Sequence, residues 1–334
     1  MVIWVQFALV AAVIMYAGSR LSHYAELIAE KKGFSKSLAG LVLLAVTSSL
    51  SQLVTSLSAV ELHDLPDMAV SALIGSCMFN MMVLGLLDLV SRDKPVSWMV
   101  HEGHILSAGF GIVLTGLTAI DILFGKHLPV FTFVHSMDPI TIAFVPIYLL
   151  AMGLTFRFEK ARLKDYEEKE TKSESRGGSW PKLISGFVIC ALSIVGASYY
   201  LPSLAESIAK TTGWGESFIG SSFIAITTCL PELTVSLSAA RRGAFDMAVA
   251  SLLGSNLCYI VVIAITDFCY MKAPLLHHVS LTNALTALSA IVSMGIVVIA
   301  LTYRPQKKIV FIAGDAIALI LVYVMANVLL FVAH

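Results

Sequence analysis

Ten stretches of mostly apolar residues divide the chain, near positions 2–19, 38–60, 67–90, 104–124, 138–156, 182–201, 217–240, 246–271, 281–302 and 309–333. Each approaches the roughly 20 apolar residues that a helix needs to cross bilayer hydrocarbon. They form two groups of five, separated by one long polar stretch, Phe156 to Lys182. The pattern predicts an all-α polytopic membrane protein of about ten transmembrane helices. The first stretch has no basic leader before it and no small-residue cleavage site after it, so it is expected to remain as a helix.

Polar residues interrupt the pattern twice, in related ways. The segment AVTSSLSQLVTSLSA (Ala45 to Ala59) is echoed by AITTCLPELTVSLSA (Ala225 to Ala239). DMAVSALIGSCMFN (Asp67 to Asn80) is echoed by DMAVASLLGSNLCY (Asp246 to Tyr259). The duplication therefore covers a whole helical hairpin. Polar, interrupted hairpins repeated in two halves are how secondary transporters build a midplane ion or substrate site. Lipid cannot satisfy backbone groups, so the polar runs predict local breaks in the helices. In the second copy Pro231 lacks an N–H and frees a carbonyl one turn earlier. Glu232 follows it, and an ionisable group in mid-span costs about 3 kcal/mol or more, which makes it a functional candidate. A protonated glutamate bonded to a neighbouring helix is the plain alternative. For single Ser and Thr hydroxyls, glue between helices competes with ligation. Gly40, Gly75, Gly220 and Gly254 read as close-packing positions, with hinge or backbone-ligand duty as the alternative.

Composition sharpens the membrane assignment. Hydrophobic residues make up 57% of the chain, charged residues 13%, and the mean hydropathy is +0.86, outside the range of soluble domains. The zero net charge is silent about partners, but charge placement is informative. With the amino terminus outside, the inner loops hold Lys31, Lys32, Lys36, Arg92, Lys94, the basic residues from Arg157 to Lys182, Arg241, Arg242, Arg304, Lys307 and Lys308. The outer loops hold only Lys126, Lys210 and Lys272. The positive-inside rule then predicts both termini outside and opposite orientations for the two halves; the membrane is expected to be the plasma membrane. The loop from 157 to 181 is a charged linker, too mixed in sign to be a nucleic-acid tail.

Other candidate chemistry is thin. Cys77, Cys190, Cys229, Cys258 and Cys269 show no metal-ligand or C-x-x-C spacing and read as small buried residues. His101-Glu102-Gly103-His104 sets its histidines three apart, where a zinc-protease helix needs four; it reads as a polar start to the fourth helix. His277 and His278 are expected to be solvated on an outer loop. Asp67 and Asp246, and likewise Asp88 and Asp267, occupy equivalent positions near helix ends, where capping or first-turn charge competes with a cation-collecting entrance. No phosphate-binding loop or catalytic constellation is visible, so neither enzyme activity nor an organic cofactor is expected.

The paired motifs resemble those of the cation/Ca2+ exchanger superfamily, whose inverted repeats carry patterns close to G-T-S-x-P-E and G-S-N-x-F-N. The GF and GW pairs at Gly33-Phe34 and Gly213-Trp214 ahead of each motif extend the likeness over nearly the whole chain. The resemblance implies two inverted five-helix repeats, 1–156 and 182–334. It also implies a metal-ion site made of Ser48, Ser49, Gln52, Ser76 and Cys77 from the first repeat and Thr228, Cys229, Glu232, Ser255 and Asn256 from the second. The chain departs from the pattern at Ser51-Gln52, which stands for Pro-Glu, and at Cys77, Cys229, Tyr259, Thr47 and Thr227. Gln52 keeps length and a carbonyl oxygen but removes one of two carboxylates. The expected function is secondary-active antiport of inorganic cations, Ca2+ for Na+ or H+. Monovalent cation/H+ exchange is the alternative that the single carboxylate favours; a passive channel or a transport-inactive scaffold completes the set.

Overall fold

The structure is a computed structural model that describes residues 2–31, 49–91, 94–127, 138–166, 179–309 and 311–333. Ten main helices follow in order: α1 (Val2–Lys31), α2 (Leu50–Leu62), α3 (Pro66–Leu87), α4 (His104–Phe124), α5 (Pro139–Tyr166), α6 (Trp180–Thr212), α7 (Glu216–Arg241), α8 (Phe245–Cys269), α9 (Thr282–Tyr303) and α10 (Gly314–Val332). All except α2 are long and apolar enough to cross a membrane; the first half of the span expected at 38–60 lies outside the described residues. No strand occurs among the described residues. α5 continues helically to Tyr166, into the segment expected to be linker.

The packing has the reciprocity of two inverted repeats. α1 packs on α7 as α6 packs on α2, α4 on α8 as α9 on α3, and α5 on α8 as α10 on α3. Even the hairpin turns correspond: Asp64 between α2 and α3 has φ 54°, and Gly243 between α7 and α8 has φ 81°. Both turns need the left-handed region, which glycine enters freely and aspartate tolerates. α3 and α8 form the core. In their apolar windows 89% and 78% of residues are buried, against 17% in α5 and α6, which therefore sit at the lipid-facing edge.

The expected helix break at Pro231 does not occur. α7 stays helical through the proline, and its irregularity lies earlier, in a π-helical turn from Gly220 to Ile224. A π turn adds a residue to the coil and often marks a functional segment. Two glycines let it sit against α3. A Cβ on Gly75 would lie 2.5 Å from Ser221 Cα, and one on Gly220 would lie 1.9 Å from Ser71 Oγ, so both serve close packing. On the other side of α7, a Cβ on Gly18 would lie 2.3 Å from Pro231 Cγ. Gly254 has no such neighbour within 4 Å among the described residues, and Gly40 lies outside them.

The paired aspartates are cross-repeat staples. Neither α3 nor α8 has a side-chain cap hydrogen bond. Asp67 instead accepts from Ser280 N (2.7 Å), Asn283 Nδ2 and Ser217 Oγ, all in the second repeat. Asp246 accepts from His101 N (2.8 Å) and meets His104 Nε2 (3.2 Å) in the first. Asp88 and Asp267 each accept from the backbone N–H eight residues on, Val96 at 2.9 Å and Leu275 at 2.6 Å. Helix capping therefore gives way to fixing the loops that lead into α4, α5, α9 and α10.

Gly75→Ala should destabilise the protein by about 1–3 kcal/mol, the usual range for overpacking, because the methyl group meets backbone. Gly109→Ala, where nothing lies within 4 Å among the described residues, should leave the melting temperature unchanged or higher. Thermal unfolding of both variants in detergent checks the contrast.

Candidate functional site

Four helices, α2, α3, α7 and α8, bring most of the expected site residues together. Ser49, Gln52, Ser76, Cys77, Thr228, Cys229, Glu232, Ser255 and Asn256 are all buried, none more than 3% exposed. Ser48 lies outside the described residues.

A hydrogen-bonded chain crosses from one repeat to the other. Gln52 Nε2 on α2 donates to Ser76 Oγ on α3 and to Cys229 Sγ on α7 at 3.3 Å. Cys229 Sγ lies 3.6 Å from Tyr259 OH on α8. Tyr259 OH donates to Glu232 Oε1 at 2.7 Å. Gln52 and Glu232, equivalent in the two repeats, thus belong to one network.

A second connection joins α3 to α8. Asn80 Nδ2 donates to Asn256 Oδ1 at 2.9 Å, Asn256 Nδ2 donates to the Cys77 carbonyl at 3.1 Å, and Cys77 Sγ reaches the Asn256 carbonyl at 3.7 Å. Ser51 Oγ donates to the Thr228 carbonyl at 3.1 Å. The Thr228 hydroxyl is bonded within its own helix, to the Ile224 carbonyl at 2.7 Å.

Two fully buried oxygens in this region accept no hydrogen bond among the described residues: Gln52 Oε1 and Asn80 Oδ1. An unsatisfied buried acceptor costs about 1–3 kcal/mol. Amide oxygens are also hard donors of the kind that Na+ and Ca2+ accept. Five carboxylates are buried among the described residues, and four of them, Asp88, Asp121, Asp138 and Asp267, are at helix ends. Glu232 is the fifth. The stretch 38–60 contains no Asp or Glu at all, so α2 supplies amide and hydroxyl groups where α7 supplies a charge.

Ser51, Asn80 and Tyr259 are network members absent from the expected set. The signal for two of them is in the duplication, because Asn80 and Tyr259 close the two copies of the second motif at matched positions. Tyr259 replaces a short amide by a phenol long enough to reach Glu232. The expectation that His277 is solvated is also overturned. It is 8% exposed, with Nε2 at 2.9 Å from Asp138 and 3.3 Å from Asp121. His104 is likewise buried, against Asp246.

Comparison with known proteins agrees with the duplicated architecture. The family described as sodium/calcium exchanger protein matches residues 2–157 and 182–332. The inner membrane protein YrbG of Escherichia coli (strain K12) is 25% identical over 253 residues, which is 75% of this chain and 74% of that protein. The sodium/calcium exchanger MaX1 of Methanosarcina acetivorans is 26% identical over 267 residues, covering 72% and 75%. Among solved structures, the H+/Ca2+ exchanger CAX superposes with a TM-score of 0.70 over 99% of this chain and 86% of its own, at 14% identity, a likeness of fold. With both five-helix halves matched, the chain belongs to the sodium/calcium exchanger protein family, within the cation/Ca2+ exchanger superfamily whose motifs it carries in duplicate.

Proposed function

We propose that the protein is a secondary-active cation antiporter that exchanges Ca2+ for Na+ or H+ through a site centred on Glu232. The observation that carries this reading is the buried Glu232 carboxylate in one hydrogen-bonded network with Gln52, together with Gln52 Oε1 and Asn80 Oδ1, which accept no hydrogen bond among the described residues. A dehydrated cation would take up these oxygens, and the carboxylate would offset its charge. Family membership and the likeness to MaX1 and CAX support antiport with Ca2+ as one partner. Gln52, Ser49, Ser76, Cys77, Thr228, Cys229, Ser255 and Asn256 supply neutral donors and positioning around it.

A second reading, monovalent cation/H+ exchange, is favoured by one feature. Gln52 occupies the position equivalent to Glu232, so a single formal negative charge faces the ion. A divalent ion beside one carboxylate keeps an uncompensated charge at a low-dielectric site, which costs several kcal/mol. On either reading the energy comes from an ion gradient, with no organic cofactor and no covalent step. Loop charge supports an orientation with both termini outside. The start of α1 and the end of α10 do lie at one end of the bundle, where Trp4 and Phe331 both contact Trp214.

In proteoliposomes loaded with Ca2+, Na+, K+ or H+ gradients one at a time, cation uptake should require a counter-ion on the opposite face. Uptake that proceeds equally without one would identify a channel.

Gln52→Glu should shift selectivity toward Ca2+ over Na+, since it restores a second carboxylate at unchanged side-chain length. Two carboxylates in the one empty site repel, so one of them holds a proton, which Ca2+ must displace, and the variant's Ca2+ affinity should rise with pH. Parallel flux measurements on wild type and variant decide it. No shift, or a shift toward Na+, would remove Gln52 from the site.

A further inference from the structure

A second cluster of ligating side chains lies at the end of the bundle where α4 gives way to α5, apart from the Gln52 and Glu232 network. Asp121 near the end of α4, Asp138 just before α5 and His277 in the loop before α9 are buried, and their ligand atoms lie within 4.8 Å of one another. His277 Nε2 is 2.9 Å from Asp138 Oδ2 and 3.3 Å from Asp121 Oδ1. Ligand atoms at the corners of a tetrahedron around Zn2+ are separated by about 3.3 Å, given bonds near 2.0–2.1 Å.

Two further observations point to a ligand. Asp121 is fully buried, yet its Oδ2 accepts no hydrogen bond among the described residues. Gly125, at the end of α4, stands over the cluster: a Cβ there would lie 2.2 Å from Asp121 Oδ1 and 2.4 Å from His277 Nε2. Its backbone is ordinary right-handed helix, φ −55° and ψ −38°, which any residue can adopt. The glycine is needed for space, and that space is beside the ligand atoms.

Charge points the same way. Asp267, also buried, lies close enough to repel Asp121 and Asp138. Among the described residues, His277 is the one group able to carry positive charge that is ion-paired to Asp121 or Asp138, and Lys126 nearby in sequence is exposed. Among the described residues, one group able to carry positive charge is ion-paired within a cluster of three buried carboxylates. At the opposite end the equivalent of Asp267, Asp88, is paired with buried Lys308 at 3.1 Å, so the two ends share a scaffold and differ in how charge is balanced.

We propose that Asp121, Asp138 and His277 bind a Zn2+-class divalent cation, with a fourth position left to water. One imidazole among carboxylates suits zinc better than Ca2+, which prefers oxygen ligands throughout. Asp267 acts as a positioning residue: it accepts from Leu275 N at 2.6 Å, two residues before His277, and from the Thr141 hydroxyl on α5. The ion would tie the ends of α4 and α5 to the loop before α9, and so join the two repeats.

The test uses the full chain in detergent, stripped of metal and then equilibrated with ZnCl2. Bound zinc is measured by elemental analysis, and Co2+ substitution is followed by its visible absorption. Wild type and Glu232→Gln should each bind one equivalent and melt at higher temperature with zinc. His277→Ala, Asp121→Asn and Gly125→Ala should weaken zinc binding at least about 100-fold, the upper range for lost support around a bound metal, and lose the thermal shift. Gly125→Ala and Asp121→Asn carry the test if His277→Ala does not fold. The proposal is overturned if wild type binds no zinc, if the three variants bind it as wild type does, if Glu232→Gln abolishes it, or if Ca2+ outcompetes Zn2+ at equal concentration.

Discussion

Hydrocarbon supplies no hydrogen bonds, so a polar side chain on a lipid-embedded helix must find its partner inside the protein. That constraint organises the centre of this bundle. Gln52, Ser76, Cys229, Tyr259 and Glu232 bond in series across α2, α3, α7 and α8, and the amides of Asn80 and Asn256 join α3 to α8. Close approach is a condition for these contacts. Gly75 and Gly220 let the π turn of α7 press against α3, and Gly18 lets α1 cover Pro231. Gln52 Oε1 and Asn80 Oδ1, which accept no hydrogen bond among the described residues, lie in the same region.

The inverted repeat lets one scaffold be used twice while its chemistry diverges. Asp67 and Asp246 each grip the entry to the fourth helix of the opposite repeat, and Asp88 and Asp267 each hold the backbone eight residues on. These positions keep the geometry matched. Divergence is confined to what the matched positions present: Gln52 against Glu232, Cys77 against Asn256, Asn80 against Tyr259, and Lys308 beside Asp88 against an acidic pocket beside Asp267. The central site is thereby asymmetric in charge although the helices around it are not.

Much of this was legible in the sequence because membrane helices announce themselves by length and hydropathy. The stretch read at 104–124 is α4, His104–Phe124, and the duplicated hairpins are α2–α3 and α7–α8. Glu232 stood out because a mid-span charge is costly. Long-range contacts were not legible. Asp67 has the local look of a first-turn acid, and its partners are Ser217, Ser280 and Asn283, far along the chain. His277 sits in a polar loop by sequence, and only the packing of α4, α5 and that loop buries it. The π turn from Gly220 to Ile224, packed against α3, has no local signature in the sequence. Pro231 suggested a break, but α7 accommodates it in a continuous helix.

Under the proposed antiport, Glu232 is the single charge that a transported cation meets. The most direct measurement is counterflow of labelled Ca2+ or Na+ in proteoliposomes of wild type and Glu232→Gln, with equal reconstitution and matching melting curves as controls for folding. The account predicts that the neutral variant's counterflow falls to the level of protein-free vesicles. Counterflow at the wild-type rate from a folded Glu232→Gln protein would contradict it.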